Sequence, residues 1–287
     1  MRITALAHRL MNGLALSIAL VSLLAGHANG QQAKPDTARK KDVQPIADNS
    51  FLIEEAYNQE YGVVQHINTF QRTREGSWAY SFTQEWPAPS ERHQLSYTIP
   101  VVRFQGANAG IGDIALNYRL QVLGKDEEAL WFSPRLSLLL PAGDARQGRG
   151  AGGPGVELFF PVSYAINDAI VTHWNAGGNI INGENDAGVK GTTRNIRAGA
   201  SVVWHIVPTF DFLLESVTGR FESIGATGKR ESDNSVVVSP GVRYAINFAS
   251  GLQIVPGLAF PIGVGPSSGQ RDLFLYLSFE HPFRKLP

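Results

Sequence analysis

Residues 235–246 read SVVVSPGVRYAI, and residues 155–166 read GVELFFPVSYAI. In the first stretch Val236, Val238, Pro240, Val242, Tyr244 and Ile246 share one face of an extended chain. Ser235, Val237, Ser239, Gly241, Arg243 and Ala245 share the other. In the second, Val156, Leu158, Phe160, Val162, Tyr164 and Ile166 alternate with Gly155, Glu157, Phe159, Pro161, Ser163 and Ala165. A period of two held this long predicts strand, not helix. The same alternation extends outward through the chain. It predicts twelve strands near 59–72, 77–86, 92–104, 110–122, 129–141, 155–166, 169–181, 192–206, 209–221, 235–247, 251–264 and 271–283. Most are longer than the five or so residues common in soluble sheets. They suit the roughly 9–11 residues that a tilted strand needs to cross a bilayer.

The connections sort by length. Breaks near 87–91, 123–128, 167–168, 207–208 and 248–250 are short, and so is the first, near 73–76. Those at 105–109, 142–154, 182–191, 222–234 and 265–270 are mostly longer and rich in glycine and charge, so that short and long fall mostly on opposite ends. Short turns on one side and long loops on the other are the habit of outer-membrane barrels. The fold class predicted is all-β: a transmembrane antiparallel up-and-down barrel of about twelve strands, closed so that no edge is left unpaired in lipid.

Aromatic residues support this reading. Tyr164, Trp204 and Tyr244 recur at 40-residue intervals, one hairpin apart, and Trp86, Tyr118 and Phe283 fall at the same end and on the same face. These six form the predicted interfacial girdle, where amphipathic rings sit between hydrocarbon and headgroup.

The N-terminus assigns the compartment. Arg2 and Arg9 precede the apolar run LALSIALVSLLA (14–25), and small residues follow in GHANG. This predicts a signal peptide over 1–30 and export to the outer membrane, because about 12 apolar residues are too few to span a bilayer as a helix. Residues 31–56 begin polar and proline-interrupted, and are predicted as a flexible periplasmic leader or a plug in the lumen. The barrel is assigned to 57–287. The expected partners are outer-membrane lipid, the barrel assembly machinery during biogenesis and a small-molecule solute. The 25 basic and 25 acidic residues balance, so nothing points to nucleic acid. The chain has no cysteine, which excludes thiolate chemistry, disulfides and a lipidated cysteine anchor. No motif calls for a cofactor or a metal.

The opposite strand face should line the lumen. It carries Glu85, Asp113, Arg119, Arg135, Glu157, His173, Arg197, His205, Asp211, Glu215, Arg243, Asp272 and Glu280, with both signs near balance. Twelve strands imply a backbone cylinder of roughly 24 Å diameter, and a path of about 10 Å at most once side chains are added. The charges either pair in a filled barrel or filter solutes at a constriction. Trp131, Leu139, Phe159, Phe274 and Tyr276 also face inward by parity. Either bulges shift the register there, or the lumen has apolar patches.

Four stretches carry a family resemblance: FLIEEAYNQEYGVVQHI (51–67), GIGDIALNYRLQ (110–121), SPRLSLLLPAGD (133–144) and GPGVELFFPVSYAI (153–166). Over about 51–283 the chain resembles the outer-membrane, transporter-like proteins of the meta-pathway phenol-degradation family. The resemblance implies an outer-membrane barrel that passes hydrophobic or aromatic small molecules, and it assigns no binding residue. The function expected is therefore a channel or transporter for small molecules. One alternative is a structural or adhesive barrel acting through the loops at 142–154 and 222–234. The other is an outer-membrane enzyme, which needs a Ser–His or acid–base pair. His173 and His205 face inward, and no serine stands in a recognisable nucleophile context.

Overall fold

The computed structural model describes residues 46, 48–125 and 128–283. The expected signal peptide and most of the leader lie outside these residues. The described chain forms one sheet of twelve antiparallel strands. They are β1 Val63–Thr73, β2 Trp78–Pro87, β3 His93–Arg103, β4 Gly110–Ile111 and Ile114–Leu120, β5 Leu130–Phe132 and Arg135–Leu140, and β6 Gly155–Asn167. There follow β7 Ile170–Glu184, β8 Lys190–Val207, β9 Phe210–Ile224, β10 Arg230–Tyr244 with Ile246–Asn247, β11 Gln253–Ala259 with Ile262–Gly263, and β12 Asp272–Pro282.

Each strand pairs with its neighbours in sequence, and β12 pairs with β1 from Val63↔Pro282 to Thr73↔Asp272. That last ladder closes the barrel and leaves no unpaired edge, which hydrocarbon would not tolerate.

Strand lengths differ from expectation in two places. The first strand starts at Val63, not near residue 59, because Tyr57 and Gln59 still contact the inner wall and the chain turns only at 61–62. Half of 182–191 and most of 222–234 are strand. β7 and β8 pair as far as Glu184↔Lys190, and β9 and β10 as far as Ile224↔Arg230. These hairpins run on past the bilayer's need because their ladder continues through polar residues. The loop at 142–154 does remain a loop. It carries a single 3-10 turn at Ala145–Gln147 and is tied to the wall by Asp113, whose carboxylate accepts the N–H groups of Gly143 and Ala151. Asp113 thus anchors this loop between the two segments of β4 instead of lining a passage.

The outer face is a band of exposed Leu, Ile, Val and aromatic side chains, among them Leu136, Leu138, Leu158, Phe160, Ile180 and Leu214. Of the six aromatics expected at the interface, Tyr118, Tyr164, Trp204, Tyr244 and Phe283 are exposed on this face, and Trp86 is half-exposed. The Tyr118 hydroxyl meets His93 Nδ1 at 2.7 Å.

Depth decides what a charge costs on this face. Leu158 lies six residues along β6 from Tyr164, near the middle of the band. Leu158→Arg should lower the stability of barrel refolded into bilayers by about 2–4 kcal/mol, and Tyr164→Arg by about 0–1 kcal/mol. Urea titrations of the two variants measure the difference.

Candidate functional site

The lumen is not an empty tube. Residues 46 and 48–60 run inside it without regular secondary structure, entering from the short-turn end where β1 begins. Tyr57 lies edge-on to Trp131 at 4.8 Å and close to His173. The chain then climbs to Glu54, Ile53 and Leu52 at mid-strand. It returns so that Asp48 meets Gln65 and Ser278, back near the short-turn end.

Irregular backbone buried in this way leaves its N–H and C=O groups without a ladder, and each needs a partner. Inward side chains of the strands supply them. Arg243 donates to the carbonyls of Ile46, Asp48 and Asn49 and holds Asp211 through Nε at 2.7 Å. Arg119 donates to the carbonyls of Glu55 and Tyr57 and to the Asn58 side chain. One Glu215 oxygen accepts the N–H groups of Leu52 and Ile53. Asn175 brackets Glu54, accepting its N–H at 2.7 Å and donating to its carbonyl at 2.8 Å. Ser163, Ser133 and Gln94 serve Ala56 and Gln59. The Asp48 carboxylate accepts from Gln65, Tyr276 and Ser278.

Apolar groups complete the docking. Ile46, Phe51, Leu52 and Ile53 form one cluster with Ile67, Val203, Leu213, Val217, Val255, Phe274 and Tyr276 of the wall. Phe51 is seated where two glycines leave space. A Cβ at Gly257 would fall 2.4 Å from its ring, and one at Gly241 2.6 Å from it. The rings of Phe274 and Tyr276 stand 5.8 and 5.4 Å from it. The inward apolar residues noted in the sequence are therefore in register, and several of them are the seat of this segment.

Eight of the charged lumen candidates divide into two groups. Arg119, Asp211, Glu215 and Arg243 hold the segment or its clamps and are almost wholly buried. Glu85, Arg135, Glu157 and Arg197 line a cavity of about 370 Å³ beside the segment's tip. That cavity is also walled by Phe51, Leu52, Ile53 and Glu54 of the segment, by Phe159, Phe274 and Tyr276, and by hydroxyls of β1–β3 such as Thr69, Thr83 and Thr98. Arg135 carries Glu54 on two nitrogens, Nε to Oε2 at 2.9 Å and Nη2 to Oε1 at 2.7 Å. It also reaches Glu157 at 2.9 Å, and Arg197 reaches the same Glu157 oxygen at 3.1 Å. Paired charges and a solute-sized cavity coexist here. A site of this size lies within the range of small-molecule pockets.

Parity placed these side chains, but it did not pair them with the segment. Ser163, a residue without a sequence signal, meets His173 Nδ1 at 2.7 Å. Its hydroxyl is fully buried and accepts the Ala56 N–H, which keeps solute away from it. Among the described residues no group of three or more His, Asp or Glu is arranged to hold a metal.

No model of a known protein family matches the chain, and no curated protein matches it. Solved structures do. The chain is similar to the COG4313 outer membrane channel from Pseudomonas putida F1, with TM-score 0.57 and 11% identity over 79% of this chain and 97% of that one. It is also similar to the NanC porin, with TM-score 0.50 and 9% identity over 76% of this chain and 98% of that one. At such identities the likeness establishes the fold, that of outer-membrane β-barrels.

Two outcomes follow for the docked segment. Gly257→Val should unseat Phe51, raising hydrogen exchange of residues 48–56 while the barrel keeps its heat-modifiable gel mobility. Glu55 has a pH signature: burial first, then Asp48, raises its carboxyl well above the usual range, against the pull of Arg119 and Arg243. A raised acid favours the docked state while protonated. Its contribution is complete below the ordinary carboxylate pKa and is lost as pH rises through the raised value. Thermal unfolding from about pH 5 to about pH 9 should therefore show wild-type stability falling relative to Glu55→Gln, with the difference growing as pH rises above the ordinary carboxylate range.

Proposed function

We propose that the protein is an outer-membrane channel for small molecules, hydrophobic or aromatic ones among them, in which the N-terminal segment governs passage. The observation that carries this reading is the solute-sized cavity inside a closed barrel, with residues 49–54 forming part of its wall. A purely structural barrel needs no such space, since paired side chains can fill a narrow lumen. The aromatic lining from Phe51, Phe159, Phe274 and Tyr276 suits rings better than bare ions. The two similar barrels bear the names of a channel and a porin.

In this reading the segment is a plug on the short-turn side, taken as periplasmic. Passage requires it to shift, not to unfold the wall. The clamps set the cost: each hydrogen bond from a charged wall group to the segment contributes about 1.5–3 kcal/mol. Outer-membrane lipid is the solvent for the apolar band, and the assembly machinery handles the closing β12 strand.

Planar-bilayer recording tests the reading. Deleting residues 46–60 should give large, steady conductance where the wild type gives small or intermittent steps, and Arg243→Met should fall between them. Closed membranes with the deletion variant, when the barrel is shown to be folded, would refute the channel.

A further inference from the structure

The tip of the segment shows the wall two groups, the ring of Phe51 and the carboxylate of Glu54. The wall receives them separately. The ring enters the seat opened by Gly241 and Gly257 beside Phe274 and Tyr276. The carboxylate lies in the fork of Arg135, with its side chain still 30% exposed. Both receivers border the cavity. A second guanidinium stands beside them. Arg197 lies over the Phe159 ring at 4.3 Å, donates through Nη2 to Glu157, and has a buried Nε with no hydrogen-bond partner.

Charge counting narrows the ligand. With Glu54 docked, Arg135 and Arg197 face Glu54 and Glu157, and this quartet is neutral; Glu85, on the same cavity wall, accepts from Gln94 and makes no ion pair with either arginine. Once Glu54 leaves, two guanidinium groups share one carboxylate, and the site has room for one negative charge. An anion there would be held by planar, bidentate donors. The volume of about 370 Å³ exceeds the roughly 150 Å³ that admits a benzene ring. The carboxylate fork and the aromatic wall therefore call for a ligand with both features.

We propose that this cavity binds small aryl monocarboxylates, their carboxylate on Arg197 and Arg135 and their ring against the aromatic wall, and that binding exchanges with Glu54 and loosens the segment. The Glu54 contact is then an internal stand-in for the ligand: a solute carboxylate competes for the same arginine, and the segment loses one of its ties as the site fills. The gating consequence rests on the channel reading; the binding does not.

Benzoate and its neutral relative benzyl alcohol separate the cases by calorimetry on folded barrel in detergent. Benzoate should bind at least tenfold more tightly, Arg197→Gln should abolish that preference, and Glu54→Gln should raise benzoate affinity. Equal binding of the two compounds by the wild type, which requires no variant, would overturn the proposal. So would a benzoate preference that survives in folded Arg197→Gln. Exchange is read with a glutamate-specific protease: saturating benzoate should speed cleavage after Glu54 or Glu55, and benzyl alcohol should not. Unchanged cleavage at saturation removes the exchange step. Liposome swelling distinguishes the two readings. Selective benzoate binding without flux of any solute sinks the channel alone, and flux without benzoate preference sinks this inference alone.

Discussion

Buried backbone without a ladder is the constraint on which the interior depends. Residues 46 and 48–60 lie inside the lumen, and they adopt neither helix nor strand. Every peptide group among them that lacks a partner would cost about 1–3 kcal/mol. The wall answers with long, fixed side chains. Arg243 serves three carbonyls, Arg119 two, Glu215 two N–H groups, and Asn175 both sides of Glu54. These residues are charged or polar because the segment is irregular. Removing any one of them strands groups on both sides of the contact.

The same economy separates the two faces of each strand. Outside, the chain meets hydrocarbon, and the β1–β12 ladder closes the sheet so that no edge is left open. Inside, the strands carry an apolar strip across β8–β12 that receives Phe51, Leu52 and Ile53. Elsewhere they carry the polar clamps. The cavity survives where these two linings meet, beside the Arg135–Glu157–Arg197 row. Docking and ligand recognition therefore share side chains. A change at the segment's tip alters the solute's surroundings, and a bound solute alters the tip.

Much of this was legible in the chain itself. Period-two alternation in 155–166 and 235–246 is a local property, so strand identity, number and facing follow from it without tertiary information. The inward direction of Arg119, Glu157, Glu215 and Arg243 and the outward direction of Tyr164 and Trp204 come from that parity alone. The extended hairpins at 182–191 and 222–234 were not legible. Glycine and charge mark loops in most contexts, and only cross-strand pairing turned these into ladder.

The sequence by itself determined the barrel, its strands and the face on which each side chain stands, because alternation encodes facing one residue at a time. Only the tertiary structure decided what the inward charges do. Asp48 and Ser278 are 230 residues apart in the chain, and Glu54 and Arg135 are 81 apart. Parity carries no information on which inward residues meet across a closed lumen. That pairing arises when an irregular segment enters the barrel and its unpaired backbone groups select their partners by distance.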